Sequence, residues 1–355
     1  MFTLKVQNFG VLKDIDIELN KTNLFIGENG SGKSVLAKLI TIVTNEVPEN
    51  FLGQFKEFNI DFITEDTIIL FKENDNILLD ISHASIKVHK PSAYKEQVLN
   101  QLMEEHTNYN KVQDFIGGLK QLDEIESQYI PAERNLISIF NQSISNFISA
   151  KIPLPDTLLK FSSQYNNARK HITELELLNM KYISKSGQDR IYYDDKNYLP
   201  LEHSSSGIQS ALPMYLVLKY LSSSYSHIII EEPEQNLYPK AQMDTIKYII
   251  QTTNNNDTHI MTHSPYVLST LNILLFAYKA SNTNKKLKKE INKIIPESQH
   301  INPDEFSAYF IKDGKSKNIK SQRGLISENS IDDSSDLLDD EFSELMDIYS
   351  EYKND

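Results

Sequence analysis

Apolar and polar positions alternate at the start of the chain: FTLKVQNFG reads as a strand, VLKDIDIELN as its partner, and KTNLFIG as a third, more apolar strand. That third strand runs straight into a glycine-rich turn. The period then changes, and SVLAKLITIVTNEV carries apolar residues at helical spacing with no breaker before Pro48. Short strands such as TIILF and ILLDIS return between residues 51 and 89. From about 92 to 179 the chain is rich in Glu, Gln, Asn and Leu and reads as mostly helical, broken near KIPLPD. No heptad register persists there, which argues against a long coiled-coil arm. Strands resume beyond 181 as YISKSG, RIYYDD, HIIIEEP and HIMTHSP, with a helix, SALPMYLVLKYL, following a Ser-rich turn. The pattern predicts one α/β core interrupted by a helical block.

Where the third strand ends, Gly27-Glu28-Asn29-Gly30-Ser31-Gly32-Lys33-Ser34 matches G-x-x-x-x-G-K-[ST], with the required strand before it and helix after it. Glycines let such a backbone fold into a nest whose N–H groups point at phosphate oxygens, and the helix that starts there presents its positive end to the same anion. Asn29, Gly30, Ser31, Gly32, Lys33 and Ser34 are therefore expected to hold ATP, with Lys33 at the β and γ phosphates and the Ser34 hydroxyl on Mg²⁺.

Two carboxylates, Glu231 and Glu232, close the apolar strand that begins at His227. Acids at a strand's carboxyl end are costly unless something cationic or hydrated neutralises them. Beside a phosphate loop that partner is Mg²⁺ and its water, so Glu231 is expected in the metal's shell and Glu232 as the group that orients or deprotonates the attacking water. His263 follows the next strand, in THSP, where an imidazole can hydrogen-bond a γ-phosphate and sense its loss. Ser204-Ser205-Ser206-Gly207 opens a helix. It reads either as an N-cap cluster or as an anion site made of small hydroxyl residues and Gly.

The order GENGSGKS, SSSGIQ, IIIEEPEQNLYP, THSP resembles the ATP-binding-cassette type ATPases related to SMC and RecF, in particular the stand-alone AAA-type ATPases of the OLD family and of anti-phage systems such as Septu and PARIS. The resemblance covers residues 1 to 45 and 125 to 270. It implies a P-loop ATPase head with a helical insertion, divided as 1–92 (first half of the head), 93–180 (helical insertion), 181–280 (second half) and 281–355 (C-terminal extension). It also implies a homodimer that sandwiches ATP, in which Ser205, Ser206 and Gly207 of one head meet the γ-phosphate held by the other and residues 234–239 cross the dimer. Glu232 becomes the catalytic carboxylate, His263 the switch, and Arg134, in YIPAER, a contact of nucleotide or dimer. The chain departs from the transporter pattern with Ser for the first signature Gly, and from the usual Asp with Glu231, whose extra length favours metal contact through water.

Composition narrows the alternatives. The 355 residues carry 36 Lys and Arg against 49 Asp and Glu, a net −13, with 39% hydrophobic and 24% charged residues, as in an ordinary globular protein. The absence of Cys excludes disulfide frameworks, thiolate metal sites and cysteine nucleophiles. No apolar run approaches a membrane span, and a cytoplasmic location is expected. Residues 328–355 hold eleven acids and one Lys, whereas residues 279–323 hold eleven Lys or Arg and five acids, so nucleic acid remains a possible partner despite the overall charge. The acidic tail, with Leu337, Leu338, Phe342, Leu345 and Met346 at helical spacing, is expected to dock within the chain or on an effector. OLD proteins with nuclease activity continue into a second metal-binding core, but no Asp-x-Asp closes a strand after Pro265, so no nuclease site is expected here. The resulting expectation is an ATP-driven dimeric sensor for a separate effector in anti-phage defence, with an ATPase of DNA repair or chromosome maintenance as the alternative.

Overall fold

The computed structural model describes residues 1–45, 51–82, 85–88, 127–140, 153–185, 187–223, 226–327 and 343–346. Most of the expected helical insertion and of the acidic tail lies outside these residues.

An eleven-stranded sheet organises the fold, in the order β6-β5-β4-β1-β2-β15-β14-β3-β13-β12-β7. Its antiparallel half consists of β1 (Phe2–Phe9), β2 (Leu12–Leu19), β4 (Ile68–Glu73), β5 (Asn76–Ser82) and β6 (Ser85–Val88). Its parallel half is β14 (Phe306–Lys312), β3 (Thr22–Ile26), β13 (Asp257–Thr262), β12 (His227–Glu231) and β7 (Ser127–Ile130). Every residue of β3 and β12 is buried, as parallel strands covered on both faces require. The side chains alternate between two cores: Leu24, Ile26, Ile228 and Ile230 point to one, Phe25 and Ile229 to the other.

Helix α1 (Lys33–Thr44) packs Leu36, Leu39 and Ile40 into the core that also holds the antiparallel strands, and the shorter α2 (Phe51–Glu57) and α3 (Asn135–Phe140) come next in the chain. On the opposite face lie α5 (Ser206–Leu221), α6 (Pro239–Thr252) and α7 (Pro265–Ser281). Helix α4 (Asp156–His171) packs beside α5, and a four-stranded antiparallel sheet follows, made of β8 (Glu174–Leu177), β9 (Met180–Lys185), β10 (Gln188–Tyr192) and β11 (Tyr198–Pro200). Buried Asp189 ties this layer together. It accepts hydrogen bonds from Tyr165 Oη at 2.8 Å, Tyr182 Oη at 2.9 Å and Arg169 Nε at 3.0 Å.

Two segments fall elsewhere than expected. Residues 127–130, counted with the insertion, form β7 beside β12 in the main sheet. Residues 306–318, counted with the C-terminal extension, supply β14 and β15 (Lys315–Asn318), wedged between β3 and β2. The surplus of Lys around FSAYFIK masks this strand in the sequence, yet six of its seven residues are buried or half-buried. A strand paired on both sides needs this burial whatever the charge of the loops around it.

Candidate functional site

The carboxyl ends of β3, β12 and β13 meet at one edge of the sheet, and the residues singled out from sequence gather there. The turn after β3 is built by Gly30 (φ 79°) and Gly32 (φ 104°), which takes the left-handed N-cap position of α1. Gly27 is required by crowding. A Cβ there would lie 2.1 Å from the Ile311 carbonyl oxygen, at the end of β14.

Lys33, the first residue of α1, is buried and folds back over its own loop. Its Nζ donates to the carbonyl oxygens of Gly27 at 2.7 Å and Glu28 at 2.9 Å. Burial lowers its pKa, while Glu232, Glu234 and Glu231 pull it back up. Ser34 Oγ donates to Glu231 Oε2 at 2.7 Å, and Tyr129 Oη, from β7, donates to Glu231 Oε1 at 2.5 Å. Both oxygens of this buried carboxylate thus have a hydroxyl donor. Burial nevertheless holds its pKa above the ordinary glutamate value.

Glu232 sits at φ 44°, a left-handed conformation uncommon for a non-glycine residue, with its N–H donating to the Met261 carbonyl at 2.8 Å. The His263 Nδ1 lies 3.6 Å from Glu232 Oε1 and 3.5 Å from Glu234 Oε1. The imidazole holds Glu232 below the usual carboxylate value, and Glu232 in turn raises His263. Glu234 is buried. Its Oε1 accepts from Thr262 Oγ1 at 2.6 Å and from the His263 N–H at 3.1 Å, whereas Oε2 is buried without a partner.

Arg134 does not reach the place expected of it. Its guanidinium is fully buried and donates only to backbone carbonyls: Glu231 at 2.7 Å and Pro131 at 3.0 Å through Nη1, Glu232 at 2.6 Å through Nη2, and Ser210 at 3.1 Å through Nε. Burial brings its pKa down to about 10. With four of its five N–H groups engaged on backbone and the side chain fully buried, Arg134 braces β12 against α5. This corrects the assignment drawn from the resemblance.

Ser205 caps α5, accepting the Ile208 N–H at 3.5 Å, and both Ser205 and Ser206 are exposed at the helix start. Gly207 is buried against the turn after β12, where a Cβ would meet the Asn236 carbonyl oxygen at 2.8 Å. Ser210, one turn further along α5, donates to Gln235 Oε1 at 3.1 Å in the same turn. The first turns of α5 and the turn after β12 are thereby held next to one another.

Residues that sequence reasoning left without a role are Tyr129, Glu234 as an acceptor, and Thr262. Tyr129 lay within the YIPAER segment already noted, but no spacing rule ties a tyrosine on one strand to an acid 102 residues later.

The donor set fits a nucleoside triphosphate and a hard divalent cation. The first N–H groups of α1 have no intrahelical partner, Ser31 Oγ is buried without one, and Ser34 and Glu231 offer oxygen ligands. A family model described as AAA ATPase domain matches residues 1–149 and 85–268. The chain belongs to that family. An OLD nuclease from Thermus scotoductus is 24% identical over 74% of this chain, which spans only 58% of that relative. In fold, this AAA ATPase is similar to the SMC head domain from Thermotoga maritima (10% identity, TM-score 0.42, covering 89% of this chain and 97% of that one). It is also similar to the ATP-binding cassette of an ABC transporter in an ADP conformation (15% identity, TM-score 0.38, covering 94% and 96%). The architecture is that of a P-loop NTPase, with the capacity to bind ATP and Mg²⁺ that this fold implies. No helix among the described residues is long and apolar enough to cross a membrane.

Proposed function

We propose that this chain is a Mg²⁺-dependent ATPase whose two copies close on ATP and use that closure to act on a separate macromolecule. The observation that carries the reading is the direct hydrogen bond between Ser34 of the phosphate loop and Glu231 at the end of β12, with Lys33 and Glu232 on either side. In this mechanism Lys33 exchanges the Gly27 and Glu28 carbonyls for phosphate oxygens. Ser34 and Glu231 are the residues that would hold the cation, which when bound would offset negative charge on the phosphoryl group. Glu232 accepts the proton of the attacking water, and His263, set between Glu232 and Glu234, faces the terminal phosphate. Ser205, Ser206 and Gly207 complete the site of a second copy.

Equilibrium binding of ATP tests the first part. Lys33→Ala should abolish it, and unchanged affinity would refute the reading. Glu232→Gln should retain binding and lose hydrolysis, because an amide keeps the shape and cannot take the proton. In that variant ATP should double the mass measured in solution, and a monomer with and without ATP would count against closure.

Two uses of such a switch compete. The OLD nuclease relative is named for action on nucleic acid, which supports a role in DNA repair or chromosome maintenance over that of a sensor for a separate effector in anti-phage defence. Turnover that rises with added duplex DNA would favour the first, and turnover indifferent to DNA the second. This chain has, in our reading, no nuclease centre of its own. Supercoiled plasmid should stay intact with Mg²⁺ or Mn²⁺, and nicking that survives Lys33→Ala would show otherwise.

A further inference from the structure

We propose that Tyr129 is a positioning residue of the Mg²⁺ site, fixing the carboxylate of Glu231 so that a glutamate does the work of the shorter acid usual at this place. The inference rests on the ATPase reading above and assigns a role to an element outside the loop and the two acids.

Glutamate has one more rotatable bond than aspartate, so at the end of β12 its carboxylate has more than one place to go. The structure removes that freedom from two sides. Ser34 engages Oε2, and Tyr129 engages Oε1 at 2.5 Å. A Ser34 hydroxyl that gives its proton to Oε2 keeps its lone pairs for a cation, whereas the oxygen bound by Tyr129 is turned away toward β7. The carboxylate therefore presents one defined oxygen beside the cation ligand.

Tyr129 is itself held. Its strand pairs with β12 in a register that sets Tyr129 beside Ile229, and its ring packs edge-on against Phe58, with centroids 5.7 Å apart. The strand is also tied to the far end of α1, where Ser127 N–H donates to Asn45 Oδ1 at 2.6 Å and Thr44 Oγ1 lies 2.7 Å from Ser127 Oγ. Ser34 at one end of α1 and Thr44 at the other are thus joined through Glu231, Tyr129 and β7 into one closed circuit. Partners behind a metal ligand typically set its affinity by 10- to 100-fold, about the effect expected here.

The test is equilibrium binding of a fluorescent ATP analogue to the Glu232→Gln protein, titrated with MgCl₂, with melting temperatures measured alongside. Tyr129→Phe, which keeps the ring against Phe58, should raise the Mg²⁺ concentration at half-saturation about tenfold and leave Mg²⁺-free nucleotide affinity unchanged. Glu231→Asp should raise it as well, because the shorter side chain cannot reach both hydroxyls, and Tyr129→Phe should then add nothing further. A lower melting temperature with an unmoved Mg²⁺ requirement would reduce Tyr129 to packing and overturn the proposal. So would a Glu231→Asp protein that binds Mg²⁺ as well as its parent, or additive effects in the double variant. If the parent binds no nucleotide at any Mg²⁺ concentration, the ATPase reading falls and this inference with it; binding by the parent with an unchanged Tyr129→Phe curve removes the inference alone.

Discussion

The carbonyl oxygen of Ile311 occupies the place where a side chain on Gly27 would begin, 2.1 Å from an ideal Cβ. Two parts of the chain nearly 300 residues apart are therefore fitted to each other at the base of the phosphate loop. The first glycine of the motif serves the close approach of β14, whereas Gly30 and Gly32 serve the turn itself through their positive φ.

Gly27→Ala should accordingly cost more stability than Gly30→Ala. The first forces backbone atoms apart, which costs about 1–3 kcal/mol in a packed core and more where backbone must move. The second meets nothing within 4 Å and carries only the left-handed penalty, about 1 kcal/mol. Urea unfolding of the two variants without nucleotide gives the order directly; equal losses would mean that β14 yields easily.

Arg134 separates a structural role from a nucleotide contact. A lysine in its place has one ammonium for four carbonyls, so several buried acceptors on β12 and α5 lose their donor, at about 1–3 kcal/mol each before relaxation. Arg134→Lys should lower stability by about 3 kcal/mol or more while the folded fraction keeps most of its affinity for nucleotide. A stable variant with weakened nucleotide binding would restore the contact that the resemblance implied.

The charge of His263 should depend on Glu232. The carboxylate beside it raises the imidazole above its ordinary value, so His263 is stabilised as the cation. Because the folded pKa is the higher one, this pair stabilises the fold fully below about pH 6.5, and the contribution fades as pH rises through the folded value. Glu232→Gln should move the His263 titration, followed by NMR of the ring protons, to lower pH. A titration that does not move would mean that the two groups, 3.6 Å apart, do not interact.

Local pattern made much of this legible. The phosphate loop, its flanking strand and helix, the acids ending β12 and the histidine after β13 all announce themselves within a dozen residues, because each depends on one strand end or one helix start. What stayed hidden depends on pairing between distant segments. Nothing in FSAYFIK or KSKN says that this hairpin enters the sheet between β2 and β3, since strand order is set by packing and not by propensity. The resemblance sets Arg134 near a nucleotide or dimer contact, and its backbone partners stay hidden for the same reason. An arginine that satisfies four buried carbonyls and one that meets an anion have the same sequence, and only burial tells them apart.

At the opposite ends of β12 and β13 from the site, His227 and His259 form a buried pair that should make the fold sensitive to acid. The His227 Nδ1 lies 3.3 Å from His259 Nε2 and 3.7 Å from Asp257 Oδ2, and His259 Nδ1 is buried without a partner. Burial brings the His227 pKa down to about 4, so His227 is neutral in the folded protein at pH 5, and burial lowers that of His259 as well. In the unfolded chain both protonate near pH 6.5. The unfolded state then binds more protons, so stability is complete above about pH 6.5 and declines as pH falls toward 4. For His227 alone the difference amounts to about 3 kcal/mol across that window. Asp257, whose pKa burial raises, acts in the opposite direction, so the comparison has to be made between proteins that both contain it. Urea unfolding at pH 7 and pH 4.5 should show a smaller loss of stability in His227→Gln than in the parent, since the amide does not titrate. An identical pH dependence in the two proteins would mean that His227 is charged in the fold or reached by water, and that the pair is not the source of acid sensitivity.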